Sequence, residues 1–213
     1  VEPDDISVIT SLDGGIGVMW SDQTTDDKSI YFNIHNDGDP DTQWQGREAA
    51  LQDPDLGSVA DDHINLKPTC DSDGNIYAVI KTSLRNNSDD PICFVIKRTA
   101  SGTWTRHEVA TVEYDYTRPV MLIDDDNKEV YVFAVTDYEV ADETKIYFKK
   151  ASLNNLVFEP GLGTPFIESE TDLQIHNPTT TKQCVTSESG VLVLASDKIS
   201  NFYIHNYLEV NKN

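Results

Sequence analysis

Short apolar runs follow one another along the whole chain, each bounded by Gly, Asp, Asn or Ser. Runs of this length, rich in Val, Ile, Tyr and Phe, predict strands, and no stretch carries the longer period of an amphipathic helix. Only Gly46 to Leu51 has a helix-like composition, and it is short. Four runs share one form: Ile16 to Trp20, Ile76 to Ile80, Val130 to Ala134 and Val191 to Ala195. Each follows a turn, namely Asp13-Gly14-Gly15, Asp73-Gly74-Asn75, Asp126-Asn127-Lys128 and Glu188-Ser189-Gly190. Each is followed, after a polar loop, by a second apolar run at Ile30 to Ile34, Ile92 to Ile96, Ile146 to Phe148 and Phe202 to Ile204.

The four runs recur at intervals of 60, 54 and 61 residues. A period of this size, with three or four strands per unit, is the mark of a β-propeller, because one such unit cannot bury both of its faces alone. The second unit reads most fully: His63 to Cys70, Ile76 to Lys81, Ile92 to Arg98 and Trp104 to Val109. The chain is therefore predicted to be all-β, a single propeller over 1–213 with about four antiparallel blades near 1–58, 59–111, 112–174 and 175–213. A β-sandwich of about twelve to fifteen strands is the alternative for alternating segments. The fourth unit is short. The ring is either closed at four blades or part of a larger ring of about five to seven, completed by missing blades or a partner chain.

Charge narrows the partners. Sixteen Lys and Arg stand against thirty-seven Asp and Glu, a formal charge of −21. Such a surface repels nucleic acid and anionic membranes. No apolar run approaches the roughly 18 residues of a membrane span. Neither a basic stretch nor an apolar signal segment follows Val1, so either a leader was removed or the sequence starts inside a longer protein. The acidity suits a secreted marine or salt-adapted bacterial protein. Asn86-Asn87-Ser88 fits the N-glycosylation pattern. Cys70, Cys93 and Cys184 lack metal-type spacing; two of them pair, or all three remain buried thiols.

Within this acidic chain, basic residues recur at one position relative to the turns. Lys67, Arg118 and Lys182 stand about seven or eight residues before them, with Ser7 in the first unit. In a propeller these positions open on the central channel, so the three cations are expected to form a positive ring for a carboxylate, sulfate or phosphate. Strand alternation adds His63 and Asn65 beside Lys67, and Tyr114 and Tyr116 beside Arg118. The competing expectation is ion pairing with inward Asp5, Asp62 or Asp115. Trp20, Tyr116 and Tyr138 are candidates to stack on sugar rings, although Trp20 also suits packing between blades.

The predicted ligand is an anionic glycan. If the protein is an enzyme, His63 or Tyr116 would abstract a proton α to a uronate carboxylate that Arg118 neutralises, the chemistry of a polysaccharide lyase. A glycosidase needs two carboxylates across the channel, and Asp22, Asp62 and Asp137 are available. A structural or protein-binding propeller is the third reading. No Gly-x-Ser-x-Gly, His-Glu-x-x-His or phosphate loop occurs. No cofactor is expected apart from Ca²⁺. Its candidates are Asp71 and Asp73, where Asp71-Ser72-Asp73-Gly74-Asn75 opens like a calcium loop but lacks the twelfth-position Glu, and Asp37 and Asp39 in a second acidic turn. Asp124-Asp125-Asp126 is a third acidic turn.

Two turns lead into a tryptophan: Asn36-Asp37-Gly38-Asp39-Pro40-Asp41-Thr42-Gln43-Trp44 and Thr99-Ala100-Ser101-Gly102-Thr103-Trp104. In this the sequence resembles the sialidase-like β-propellers with Asp-box (BNR) repeats, over two of its four units. Ala60 to Lys67 and Thr179 to Gln183 resemble segments of bacterial extracellular propeller proteins. The resemblance implies secretion and carbohydrate-rich surroundings. It carries no sialidase activity, because only Arg118 of an arginine triad occupies a channel position.

Overall fold

The computed structural model describes residues 7–22, 29–52, 61, 63–68, 70–136, 145–168 and 174–211. The remaining residues include Asp5, Asp62, Asp137 and Tyr138, which lie outside the described part.

Among the described residues, fifteen strands form four separate antiparallel sheets, each made of consecutive strands. Blade 1 holds β1 (Ser7–Leu12), β2 (Gly15–Asp22), β3 (Ser29–Asn36) and β4 (Glu48–Leu51). Blade 2 holds β5 (Ile64–Leu66), β6 (Ile76–Lys81), β7 (Pro91–Arg98) and β8 (Trp104–Thr111). Blade 3 holds β9 (Tyr116–Asp124), β10 (Glu129–Thr136), β11 (Ile146–Ser152) and β12 (Thr164–Ile167). Blade 4 holds β13 (Ile175–Thr180), β14 (Val191–Asp197) and β15 (Tyr203–Leu208). The helix-like segment at Gly46 to Leu51 instead supplies β4, whose Ala50 and Leu51 are buried against blade 2, so tertiary packing overrides a weak local preference. The single helical feature among the described residues is one 3₁₀ turn at Val112–Tyr114, and no described helix is long and apolar enough to cross a membrane.

The tight turns fit their sequences. Gly14 and Gly74 close the first two β-turns at φ 75° and 74°, a conformation that costs a residue without a Cβ nothing. β5 is shorter than its repeat mates, and Pro68, without a backbone N–H, follows close behind it.

Three apolar cores join neighbouring blades. Met19, Ile30 and Phe32 of blade 1 meet Leu66, Ala78 and Ile80 of blade 2. Tyr77, Val79 and Val95 meet Met121, Val130 and Val132 of blade 3. Leu122, Tyr131 and Phe133 meet Ile175, Val191 and Val193 of blade 4. Among the described residues, no such core contains residues of both blade 4 and blade 1. The second strands record the consequence: every residue of β6 is buried, and all but the half-buried first residue of β10, whereas β2 and β14 alternate. Among the described residues, blades 2 and 3 are thus covered on both faces and blades 1 and 4 on one.

Blades 2 and 4 meet across the centre. Cys70 and Cys184 form a disulfide with Cα atoms 5.3 Å apart, and Lys67 Nζ donates to the Thr181 carbonyl at 2.8 Å. Val185 N–H donates to the Ile123 carbonyl at 2.8 Å and fixes the same segment to blade 3. Of the two cysteine expectations, pairing holds for Cys70 and Cys184; Cys93 is a buried thiol.

Candidate functional site at the channel mouth

The starts of the innermost strands surround a cavity of about 390 Å³. His63 and Asn65 reach it from blade 2, Arg118 from blade 3 and Asn177 from blade 4, over an apolar floor that includes Ile64 and Val120.

Arg118 and Asn177 are placed by the same local device. In β9, Thr117 pairs with Val135 and Val120 with Phe133, so Arg118-Pro119 is a two-residue bulge. In β13, His176 pairs with Ser196 and Thr179 with Leu194, so Asn177-Pro178 is another. Both bulged residues take left-handed conformations, φ 52° and 53°. A bulge re-aims the side chain it carries, and a left-handed conformation at an arginine costs about 1–3 kcal/mol that the rest of the fold must supply. Proline after each residue forbids the ladder hydrogen bond that a regular strand would make there.

Polar contacts orient the other two. Asn65 Oδ1 accepts the Met121 N–H at 3.2 Å, which leaves the Asn65 amide nitrogen as its donating end. His63 Nδ1 lies 2.9 Å from Asp61 Oδ1, and Asp61 Oδ2 accepts from Lys81 Nζ at 2.6 Å. A carboxylate at Nδ1 holds the proton on that nitrogen and makes Nε2 the basic one. Arg118 makes no hydrogen bond or ion pair among the described residues. Asn177 Nδ2 donates to Ser196 Oγ at 3.2 Å.

The three cations therefore do not sit at one level. Arg118 corresponds in register to Asn177, not to Lys182, because both blades carry the same bulge but the connection from Thr180 to Val191 is longer than that from Asp124 to Glu129, which shifts any count made back from the turns. Lys67 is fully buried deeper in the fold. Burial, and then the nearby Lys182 charge, push its pKa down from 10.5 to about 8. Lys182 lines a different cavity, of about 560 Å³, with Ser11 and Pro68.

Tyr116 does not line the mouth cavity. Its ring is buried in the core between blades 2 and 3, its hydroxyl donates to the Leu162 carbonyl, and burial raises its pKa well above the usual range. A phenol so held neither stacks on a sugar at the mouth nor serves as a base there. Tyr114 is half-buried against the same core, with the Lys149 ammonium 5.6 Å from its ring centroid. Asp115 pairs with Arg85 at 2.9 Å and not with the channel cations. Trp20 is half-buried on the outer face of blade 1, its ring 5.8 Å from that of Tyr31. Asp22 ends β2 and does not line the mouth cavity.

The acidic turns are closed on themselves. Asp71 accepts from the Asp73 N–H, Asn75 Nδ2 and the Tyr77 hydroxyl at 3.0, 2.6 and 2.7 Å. Although burial raises its pKa, these bonds outweigh the burial and hold it below the usual carboxylate value. Asp39 accepts from Asn36 Nδ2 at 2.9 Å, and Asp37 ties its N–H to the Gly14 carbonyl at 2.9 Å. Among the described residues, no three His, Cys, Asp or Glu side chains are grouped to hold a metal. Asp71 is a turn brace in place of a calcium ligand. Of the two tryptophans that carried the BNR resemblance, Trp104 is an inter-blade brace, its Nε1 donating to Glu48 at 2.8 Å, while Trp44 is exposed and donates to the Asp41 carbonyl at 3.2 Å.

No family model matches the chain, and no curated protein matches it in sequence. Solved structures do match in shape. One is Zg3597, a family 117 glycoside hydrolase of the marine bacterium Zobellia galactanivorans, with a TM-score of 0.56 and 15% identity over 99% of this chain and 67% of that one. Another is an endo-arabinase from Bacteroides thetaiotaomicron, with a TM-score of 0.52 and 7% identity over 96% of this chain and 75% of that one. Both are β-propeller enzymes, and the likeness shows that this chain has the propeller fold.

Proposed function

We propose that the protein recognises an acidic carbohydrate at the channel mouth, as a secreted propeller module. The observation that carries this reading is Arg118, held in a left-handed bulge, without an ion-pair partner among the described residues, in a cavity shared with His63 and Asn65. Arg118 and the Asn65 amide nitrogen are donors, and a carboxylated sugar ring supplies acceptors to match them. That both similar structures are carbohydrate-active enzymes supports a sugar as the ligand.

A second reading follows from the His63–Asp61 pair. A neutral imidazole with its Nδ1 proton on a carboxylate is a general base at Nε2. Beside Arg118 this suits removal of the proton α to a uronate carboxylate, with Arg118 stabilising the enolate that forms. Calorimetry with oligogalacturonate, oligoglucuronate and their neutral counterparts tests the first reading. Arg118→Ala is expected to weaken binding of the acidic sugars about 10- to 100-fold, the worth of a charge-assisted hydrogen bond. Equal binding of neutral and acidic sugars, or unchanged binding by the variant, overturns it. Ultraviolet absorbance of an unsaturated product, lost in His63→Ala, separates a lyase from a binding module.

A further inference from the structure

The orientation of an asparagine amide follows from the polarity of its partners, and two asparagines of the mouth cavity have partners of fixed polarity. Asn65 Oδ1 accepts the Met121 N–H at 3.2 Å; a backbone N–H can only donate, so Nδ2 is the end of Asn65 left over. Asn177 is turned the other way. The Ser196 hydroxyl gives its single hydrogen to the His176 carbonyl at 3.2 Å, so its oxygen only accepts from Asn177, which lies 3.2 Å away. Asn177 therefore presents Nδ2 to Ser196, and Oδ1 is its remaining end. Among the described residues, neither remaining end makes a further hydrogen bond.

Asn65, Arg118 and Asn177 line one cavity, of about 390 Å³, from three blades. Its free groups are of mixed polarity: Asn65 Nδ2 and the Arg118 guanidinium donate, and Asn177 Oδ1 accepts. Arg118 and Asn177 occupy the same position of the same bulge in neighbouring blades, at φ 52° and 53°. One of the pair carries a positive charge and the other an acceptor. A bare carboxylate offers acceptors only and leaves Asn177 Oδ1 unmatched. A sugar acid matches all three groups, because its hydroxyls donate as well as accept. Pro119, Val120 and Pro178 in the same wall give the apolar face of a sugar ring a surface to lie on.

We propose that Asn177 sets the specificity of the mouth: its Oδ1 accepts a hydrogen bond from one hydroxyl of the sugar whose carboxylate Arg118 and Asn65 hold. The inference rests on the acidic-carbohydrate reading and narrows it to sugar acids in which that hydroxyl is free. Ser196 is a positioning residue, acting through the Asn177 amide.

NMR titration with the methyl glycosides of galacturonic and glucuronic acid, each beside its monodeoxy forms, tests it. For the parent sugar that binds, one monodeoxy form is expected to bind roughly threefold to tenfold more weakly, the worth of a neutral hydrogen bond. Asn177→Gly, which keeps the left-handed backbone without strain, is expected to weaken the parent by the same factor and to bind that deoxy form equally well. Ser196→Ala, which frees the amide to turn, is expected to lose part of the same discrimination. Arg118→Ala is expected to weaken parent and deoxy form in equal proportion, so that the ratio between them survives. Undiminished binding of the parent by Asn177→Gly overturns the proposal, and so does a discrimination that this variant retains; an intact Arg118 effect then leaves the acidic-sugar reading standing. Binding of neither parent, or binding indifferent to Arg118→Ala, removes that reading and the proposal with it.

Discussion

Lys67 shows how one residue sets a pH dependence for the whole fold. Its folded pKa is about 8, below its ordinary value of 10.5, with burial as the main cause and Lys182 the second. Between those values the unfolded chain binds more protons than the folded one, so stability rises with pH. The gain is expected to be about 2 kcal/mol between about pH 8 and 9.5. Above that window the opposite drift sets in, because burial holds the Tyr77, Tyr116 and Tyr131 hydroxyls protonated in the fold. Urea unfolding at stepped pH checks this: Lys67→Met should be flat across the window, and a wild-type curve equally flat would place Lys67 in contact with water. The chemistry of Lys67 was only half legible in the sequence. Its recurrence before a turn marked it as inward, but its depth follows from the approach of blade 4, a contact between residues 114 apart in the chain.

At the scale of the element, the disulfide joins inner segments of blades 2 and 4, and its sequence separation is 114. Closing so long a loop restricts the unfolded chain strongly, so reduction is expected to lower the unfolding free energy by about 2–4 kcal/mol. Cys93 is a control within the same molecule, its thiol pushed up to about 12 by burial. Thiol titration of the native oxidised protein should find no reactive group; after reduction under native conditions, Cys70 and Cys184 should react while Cys93 waits for unfolding. Two reactive thiols in the unreduced protein would mean that the pair is not formed. Blade order, turns and most strands were readable because each depends on local patterning and on a period that repeats. The bulges were not. Arg118-Pro119 and Asn177-Pro178 are the same bulge in two blades, two residues opposite one, visible only as a shared proline; counting back from the turns paired Arg118 with Lys182 instead, because the connection after β13 is longer than the one after β9.

Among the described residues no apolar core joins blade 4 to blade 1, and both of these blades carry exposed apolar side chains. Ile9 on blade 1 is 54% exposed, and Leu192, Tyr203 and Tyr207 on blade 4 are 40%, 81% and 46% exposed. In register, Leu192 stands opposite Tyr207 and Ser196 opposite Tyr203, so the exposed side chains of blade 4 share one face. The chain fills 67% and 75% of the two similar propeller chains. Contiguous apolar faces of this kind drive association. Light scattering of the 213-residue chain is expected to show self-association that rises with concentration and falls at least about tenfold in Leu192→Lys combined with Tyr207→Lys. A monodisperse monomer indifferent to those changes would show that the faces are not adhesive. The bond between Cys70 and Cys184 has one more consequence, a mechanical one. Tension applied at the two ends of the chain passes through that bond and bypasses blade 3, so the sequence separation of 114 residues adds no length to the stretched molecule until the bond is reduced. At the reach of an extended chain, the hidden contour is on the order of 400 Å.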